Sequence, residues 1–379
     1  FLISIPFYLG NNQVTYLNSF FEAISGLTGT GFSIFKNIKY LDPTLILWRS
    51  SSQWIGGLYF LFFLIVIFSS KKFNYKMIFL THSGDSSYSS KENIKDNILK
   101  IFIYYCILSF GIFLLFNISD IRLFNSLNIT MTLISGGGFL PTDSLTNVIT
   151  SNFQKIIFIF SLFLNMFNFY LIFNIFDKKT LIRDHKEDLY LFLLSIILII
   201  FIYLDNNSGL DLIISVLSSL SNSGLTLIKS ENLSLYFLFI TLIGGSLVSN
   251  TSGIKLTRFY ILIKITSSEI IKLISPNSVI NKTIFNSDRN ITNDDIKISF
   301  LVFISFFLSL FILSSLLVVD DIGFEKSFKL SILTLTNTVN SELFNLENLN
   351  FANLLTTSKI SLIIFMIIGK IELISIFLI

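Results

Sequence analysis

Leu17 to Phe32 reads Leu-Asn-Ser-Phe-Phe-Glu-Ala-Ile-Ser-Gly-Leu-Thr-Gly-Thr-Gly-Phe, a short semi-apolar piece that runs into the polar cluster Thr28-Gly29-Thr30-Gly31. A helix needs about 20 apolar residues to cross a bilayer, so this piece has the length of a re-entrant half-helix. The pattern recurs three times. Residues 123–134 run into Ser135-Gly136-Gly137-Gly138-Phe139, residues 210–220 into Ser221-Asn222-Ser223-Gly224-Leu225, and residues 328–335 into Thr336-Asn337-Thr338-Val339-Asn340.

Long apolar runs flank these pieces, at 44–68, 98–116, 153–176, 189–204, 233–265, 298–319 and 358–379. Each is expected to span a bilayer. Residues 1–9 read as the tail of an eighth run, and the chain, opening on Phe1, as N-terminally incomplete. Connections alternate in kind. Residues 71–100, 177–188 and 255–297 hold six, four and seven of the 27 Lys and Arg, and the positive-inside rule makes them cytoplasmic. The intervening connections carry the Ser, Thr, Gly and Asn clusters.

The expected fold is therefore an all-α integral membrane protein. It has four parallel helix–pore-loop–helix repeats around a pseudo-fourfold central pore. Repeat 1 covers 1–70 with its turn region at 17–33; repeat 2 covers 71–176 with 122–140. Repeat 3 covers 177–275 with 210–226, and repeat 4 covers 276–379 with 325–341.

Composition agrees. Hydrophobic residues make up 52% of the 379, charged residues 13%, and Phe alone numbers 43; mean hydropathy is +0.74. A soluble chain averages about 25% charged residues, so a soluble enzyme, a disordered regulator and a secreted disulfide scaffold are excluded. Cys106 is the lone cysteine, and His82 and His185 lie far apart without a second ligand at helical spacing. Neither a disulfide nor a metal centre is expected, and nothing points to nucleic acid.

Non-helical backbone survives at membrane depth only when buried in protein or lining water. Glycine lets successive carbonyls point one way, and Ser and Thr hydroxyls add oxygens. Four such turns on one axis make a neutral oxygen ring able to replace the hydration shell of K⁺. A divalent ion would call for carboxylates, and the first three turns hold none. For any one cluster the competing reading is close helix packing; four in equivalent places favour the filter. A solute transporter would instead show inverted repeats, and a membrane enzyme would need His, Asp or Glu clusters within the spans.

These residues resemble a known family. Phe21-Glu22-Ala23-Ile24-Ser25-Gly26-Leu27-Thr28-Gly29-Thr30-Gly31-Phe32-Ser33 is similar to the first pore loop of Trk/Ktr/HKT cation transporters, and Trp48-Arg49-Ser50-Ser51-Ser52-Gln53-Trp54-Ile55-Gly56-Gly57 to the stretch that follows it. Ile243 to Lys255 resembles the third-repeat G-S-T-A-G-G-I-K stretch, and Met366-Ile367-Ile368-Gly369-Lys370-Ile371-Glu372 resembles the final M-L-L-G-R-L-E. The resemblance implies a K⁺-permeating, sometimes Na⁺-permeating, subunit of a prokaryotic inner membrane. It also implies a homodimer, no covalent cofactor, and control by a cytosolic nucleotide-binding (TrkA/KtrA-like) ring, with 71–100 and 178–188 as its contacts.

By the same resemblance the filter comprises Thr28, Gly29, Thr30 and Gly31; Ser135, Gly136, Gly137 and Gly138; Ser221, Asn222, Ser223 and Gly224; and Thr336, Asn337, Thr338 and Val339. Val339 stands where the family has its fourth glycine. A gating loop falls on 246–253, with Ser249, Asn250, Thr251, Ser252 and Gly253 as its polar part. The run 233–265 is by itself too long for one straight span at about 1.5 Å per residue; it either breaks there or continues as a tilted helix. Lys370 replaces an arginine that projects into the pore. Its depth in the last run implies a protein or water environment, either the pore or an ion pair with Glu372 or Glu342. Arg49 reads as a cap on turn carbonyls or an interfacial anchor, and Glu22 as its counter-charge. A degenerate, non-conducting member is the alternative that the missing glycine raises.

Overall fold

The structure, a computed structural model, describes residues 1–10, 14–69, 94–169, 171, 185–203, 209–228, 233–276, 282–286, 290–346 and 349–371. Thirteen helices carry the described chain: α1 (Ile5–Leu9), α2 (Tyr16–Thr28), α3 (Pro43–Ser69), α4 (Ile94–Ile118), α5 (Leu123–Ser135), α6 (Asn152–Met166), α7 (Lys186–Tyr203), α8 (Gly209–Leu220), α9 (Ser234–Leu242), α10 (Leu256–Ile274), α11 (Asn293–Val319), α12 (Phe324–Leu335) and α13 (Thr356–Ile371). Local chemistry sets several of their ends. Pro43 opens α3, where its missing N–H costs nothing. Ser151 with Gln154, and Thr292 with Asp295, form capping boxes at the starts of α6 and α11, each satisfying two orphan donors.

The short helices α2, α5, α8 and α12 alternate with α3, α6, α9 and α13 in one closed ring. In order of contact the ring runs α2, α3, α5, α6, α8, α9, α12, α13 and back to α2. Helices α5 and α12 are thus opposite each other, as are α2 and α8. Outside the ring, α4 packs on α3, α5 and α6, α7 on α8, and α11 on α12 and α13.

Among the described residues, two helices are long and apolar enough to cross a bilayer, over Ile98–Ile118 and Asn293–Val319. They leave Phe102, Ile103, Ile107, Phe110, Phe300, Leu301, Leu308, Phe311 and Ile312 exposed, an apolar surface far beyond what water tolerates on a monomer. Two of the seven expected runs are not continuous helices among the described residues. The helix expected over 153–176 stops at Met166, where Phe167 turns extended. Its freed end bonds elsewhere: Ser246 N donates to Met166 O at 3.0 Å, and Phe169 N to Val248 O at 2.8 Å. Helix α7 opens on Lys186, Glu187 and Asp188.

The run 233–265 is interrupted. Helix α9 ends at Leu242, and α10 starts at Leu256. Between them β1 (Ile243–Gly244) and β2 (Ile254–Lys255) form a two-residue parallel ladder, Ile243 opposite Ile254 and Gly244 opposite Lys255. The chain can close this tightly because Gly244 lacks a side chain: a Cβ there would lie 2.3 Å from Ser252 O. Most of 71–100 and 178–188 lies outside the described residues.

Candidate functional site: four turns and the loop beside them

All four short helices end alike. The second residue of each turn is left-handed: Gly29 (φ 77°), Gly136 (φ 70°), Asn222 (φ 59°) and Asn337 (φ 48°). Only Gly and, less readily, Asn take this conformation at small cost. The N–H of each donates back three residues, to Gly26, Leu133, Ser219 and Thr334, at 2.9–3.2 Å. Gly137, Ser223 and Thr338 donate back five residues at 2.8–3.0 Å. Turn donors are consumed in capping the helices.

The turn hydroxyls fold back onto their own helices. Thr28, Ser135 and Thr336 donate to carbonyls four residues back at 2.8–2.9 Å, and Ser221 to Ser218 O at 3.3 Å. Thr28 also meets Thr30, Thr336 meets Thr338 and Ser221 meets Ser223 through their hydroxyl oxygens, at 2.7, 2.9 and 3.3 Å. These bonds brace the turns against their own helix ends, and a hydroxyl that donates keeps its oxygen lone pairs able to accept. The backbone carbonyls remain. Those of Gly29, Thr30, Gly31, Gly136, Gly137, Gly138, Asn222, Ser223, Gly224, Asn337, Thr338 and Val339 accept no hydrogen bond from any described residue, although all these residues are buried. Each such carbonyl costs about 1–3 kcal/mol unless something else coordinates it.

The four turns touch one another. A Cβ on Gly31 would lie 2.8 Å from Gly138 Cα, and one on Gly224 would lie 2.8 Å from Val339 O. Asn337 Nδ2 donates to Thr30 Oγ1 at 2.8 Å, and Asn222 Nδ2 to Thr338 Oγ1 at 3.4 Å. At one end, Gly31, Gly138, Leu225 and Val339 border an open cavity of about 700 Å³ that Asp143 and Glu342 also line. Asp143 accepts from Ile38 N at 2.8 Å.

Behind the turns sits a buried ion pair. Arg49 Nε meets Glu22 Oε1 at 2.8 Å, with both side chains shut off from solvent. Glu22 also accepts from Ile34 N at 2.8 Å and Ser33 Oγ at 3.0 Å, and the guanidinium lies 4.1 Å over the Phe139 ring. Arg49 therefore caps no turn carbonyl; it ties the exit of the first turn to that of the second. Removing one partner of such a pair costs about 3–5 kcal/mol.

At the other end lies the interrupting loop. Asn250 Nδ2 donates to Ile134 O at 2.8 Å, one residue before the second turn. Lys370 is buried, and its Nζ donates to Asn250 O at 2.7 Å. That amine is also 3.7 Å from where a Cβ on Gly29 would stand, and 4.8 Å from the Phe60 ring. Lys370 makes no ion pair among the described residues; Glu372 lies outside them. The loop is pinned from within by a second buried lysine. Lys255 Nζ donates to Thr251 O at 2.7 Å and to Ser249 O at 3.3 Å. Glu187 accepts from Leu247 N at 3.1 Å and from the Thr257 hydroxyl. Gly253 is left-handed (φ 74°), and Ser252 is buried beside Gly244.

No protein-family model matches the chain. It is 29% identical over 321 residues to an uncharacterized cation transporter of Methanocaldococcus jannaschii, covering 82% of this chain and 66% of that protein. It is 26% identical over 325 residues to the Trk system potassium uptake protein TrkI of Halomonas elongata, covering 80% and 65%. With TrkG of Escherichia coli it shares 23% over 381 residues, covering 95% and 77%. The crystal structure of the potassium transporter TrkH from Vibrio parahaemolyticus matches at a TM-score of 0.86 and 19% identity, over 99% of this chain and 80% of that one. The chain has the fold of TrkH and is similar in sequence to Trk-system potassium uptake proteins. It spans just under two thirds of the length of the first two relatives.

Several residues of the site carry no mark in the sequence. Lys255 was visible only as the end of a motif, and Glu187 as one acid in a basic connection. Gln53 belongs to a quoted stretch, yet its part is set by space: a Cβ on Gly137 would lie 2.3 Å from Gln53 Oε1, which accepts from Phe139 N at 3.3 Å. The alternation of Gly, Gly, Asn and Asn at the second turn position was the signal available for the left-handed caps.

Proposed function

We propose that this chain is the K⁺-permeating subunit of a Trk-type uptake system, passing the ion passively between the carbonyls of four re-entrant turns and gated from the cytoplasmic side. The observation that carries the reading is the set of buried carbonyls, on four mutually touching turns, that no described residue engages. Desolvating K⁺ takes such neutral oxygens. The turn residues 28–31, 135–138, 221–224 and 336–339 form the filter, with the unengaged backbone carbonyls as its main ligands. The closed ring of helices supports four parallel repeats about one axis. The relatives named as potassium uptake proteins support K⁺ as the ion.

Lys370 and the loop residues Ser249, Asn250, Thr251, Ser252 and Gly253 form the gate. Supporting this, the loop bonds both the foot of the second turn and the Lys370 amine. A positive charge in that place repels a cation leaving the turns. The remaining parts of the reading are a homodimer, a cytosolic nucleotide-binding ring at the basic connections and a prokaryotic inner membrane; the family resemblance supports them.

The test is Rb⁺ and K⁺ uptake, with Na⁺ in competition, in cells lacking their own K⁺ systems. Gly31→Val is expected to abolish uptake while leaving membrane insertion intact, because Gly31 is left-handed (φ 81°) and packed on Gly138 backbone. Undiminished uptake would remove the filter.

A further inference from the structure

The fourth turn carries a side chain where two of the others are pressed backbone to backbone. A Cβ added to Gly138 would lie 2.4 Å from Val339 Cβ and 2.8 Å from its Cγ1. Gly138 follows α5 and Val339 follows α12, and these helices stand on opposite sides of the ring. The contact is therefore not between neighbours; it crosses the centre. Neighbouring turns close in from the flanks, with Ser223 O 3.1 Å from the same Gly138 point and Val339 Cγ1 3.1 Å from a Cβ on Gly224. All of this happens at the end of the turns that borders the open cavity.

We infer that the Val339 isopropyl group is an apolar constriction across the cavity end of the ion path, seated against Gly138, and that a cation passes only when this side chain swings aside. The inference rests on the filter reading and adds a rate-limiting element to it. A β-branched side chain has few rotamers, and leaving its well costs about 0.5–1.5 kcal/mol. Narrow apolar rings oppose ion passage by excluding water. Val339 also accounts for the glycine opposite. Gly138 does not have a positive φ, unlike Gly31 and Gly224, so its need for glycine is steric and comes first from Val339.

The experiment pairs the two positions and reads initial Rb⁺ uptake per inserted chain. Val339→Ala and Val339→Gly are expected to raise uptake roughly two- to tenfold, the rate equivalent of that rotamer cost. Gly138→Ala alone is expected to abolish uptake, and Gly138→Ala with Val339→Gly to restore it, since this removes the two nearest of the three atoms closest to the new Cβ and leaves Ser223 O at 3.1 Å. Gly31→Ala, blocked by its own φ and by backbone, is expected to stay inactive with or without Val339→Gly. Unchanged or lower uptake in Val339→Ala and Val339→Gly, or no rescue of Gly138→Ala, overturns the constriction while an inactive Gly31→Ala leaves the filter standing. An active Gly31→Ala overturns the filter itself.

Discussion

At residue 370 one amine joins the last helix to a loop 120 positions away, donating to Asn250 O at 2.7 Å directly beside the first turn. Its burial was legible in the sequence, because a lysine deep in a long apolar run is expected to face protein or water. Its partner was not, since nothing local distinguishes a distant carbonyl from a carboxylate. The same holds for the turn hydroxyls: their residue types were plain, but each one points to a carbonyl three or four residues back in its own helix. Lys370→Ala removes both the charge and the hydrogen bond. Ion flux is expected to increase in reconstituted vesicles, and equal or lower flux with unchanged insertion would contradict the barrier role.

At the scale of elements, close crossings decide what fits. Helix α3 crosses the end of α2, and a Cβ on Gly56 would lie 2.0 Å from Leu27 O; α13 crosses the end of α12, and a Cβ on Gly369 would lie 2.4 Å from Leu335 O. Leu27 and Leu335 each immediately precede a turn, so the two crossings hold equivalent places. Gly369→Ala is expected to lower stability by about 1–3 kcal/mol through overpacking. Gly111→Ala, with nothing within 4 Å of the new Cβ, should leave the melting temperature unchanged or raise it. Comparable losses in both variants would remove the crossing argument. The interruption of 233–265 could be read from length, yet its closure by a two-residue parallel ladder could not, because so short a pairing has no period to detect.

At the scale of the molecule, the sequence revealed the recurrence of half-helix and polar turn without its closure. Eight helices meet in a ring whose order returns to its start, and that order alone places Val339 opposite Gly138. Contacts between turns more than 100 residues apart leave no trace in composition or spacing. The unengaged carbonyls are the common product of these scales: capping consumes the N–H groups, hydroxyls turn back to the helices, and the ring brings the four turns together. The most direct measurement is crystallographic, locating Tl⁺ as a K⁺ substitute by its anomalous signal in the purified protein. The account predicts peaks between the carbonyls of residues 29–31, 136–138, 222–224 and 337–339. Tl⁺ bound only elsewhere, with those carbonyls facing packed side chains, would contradict it.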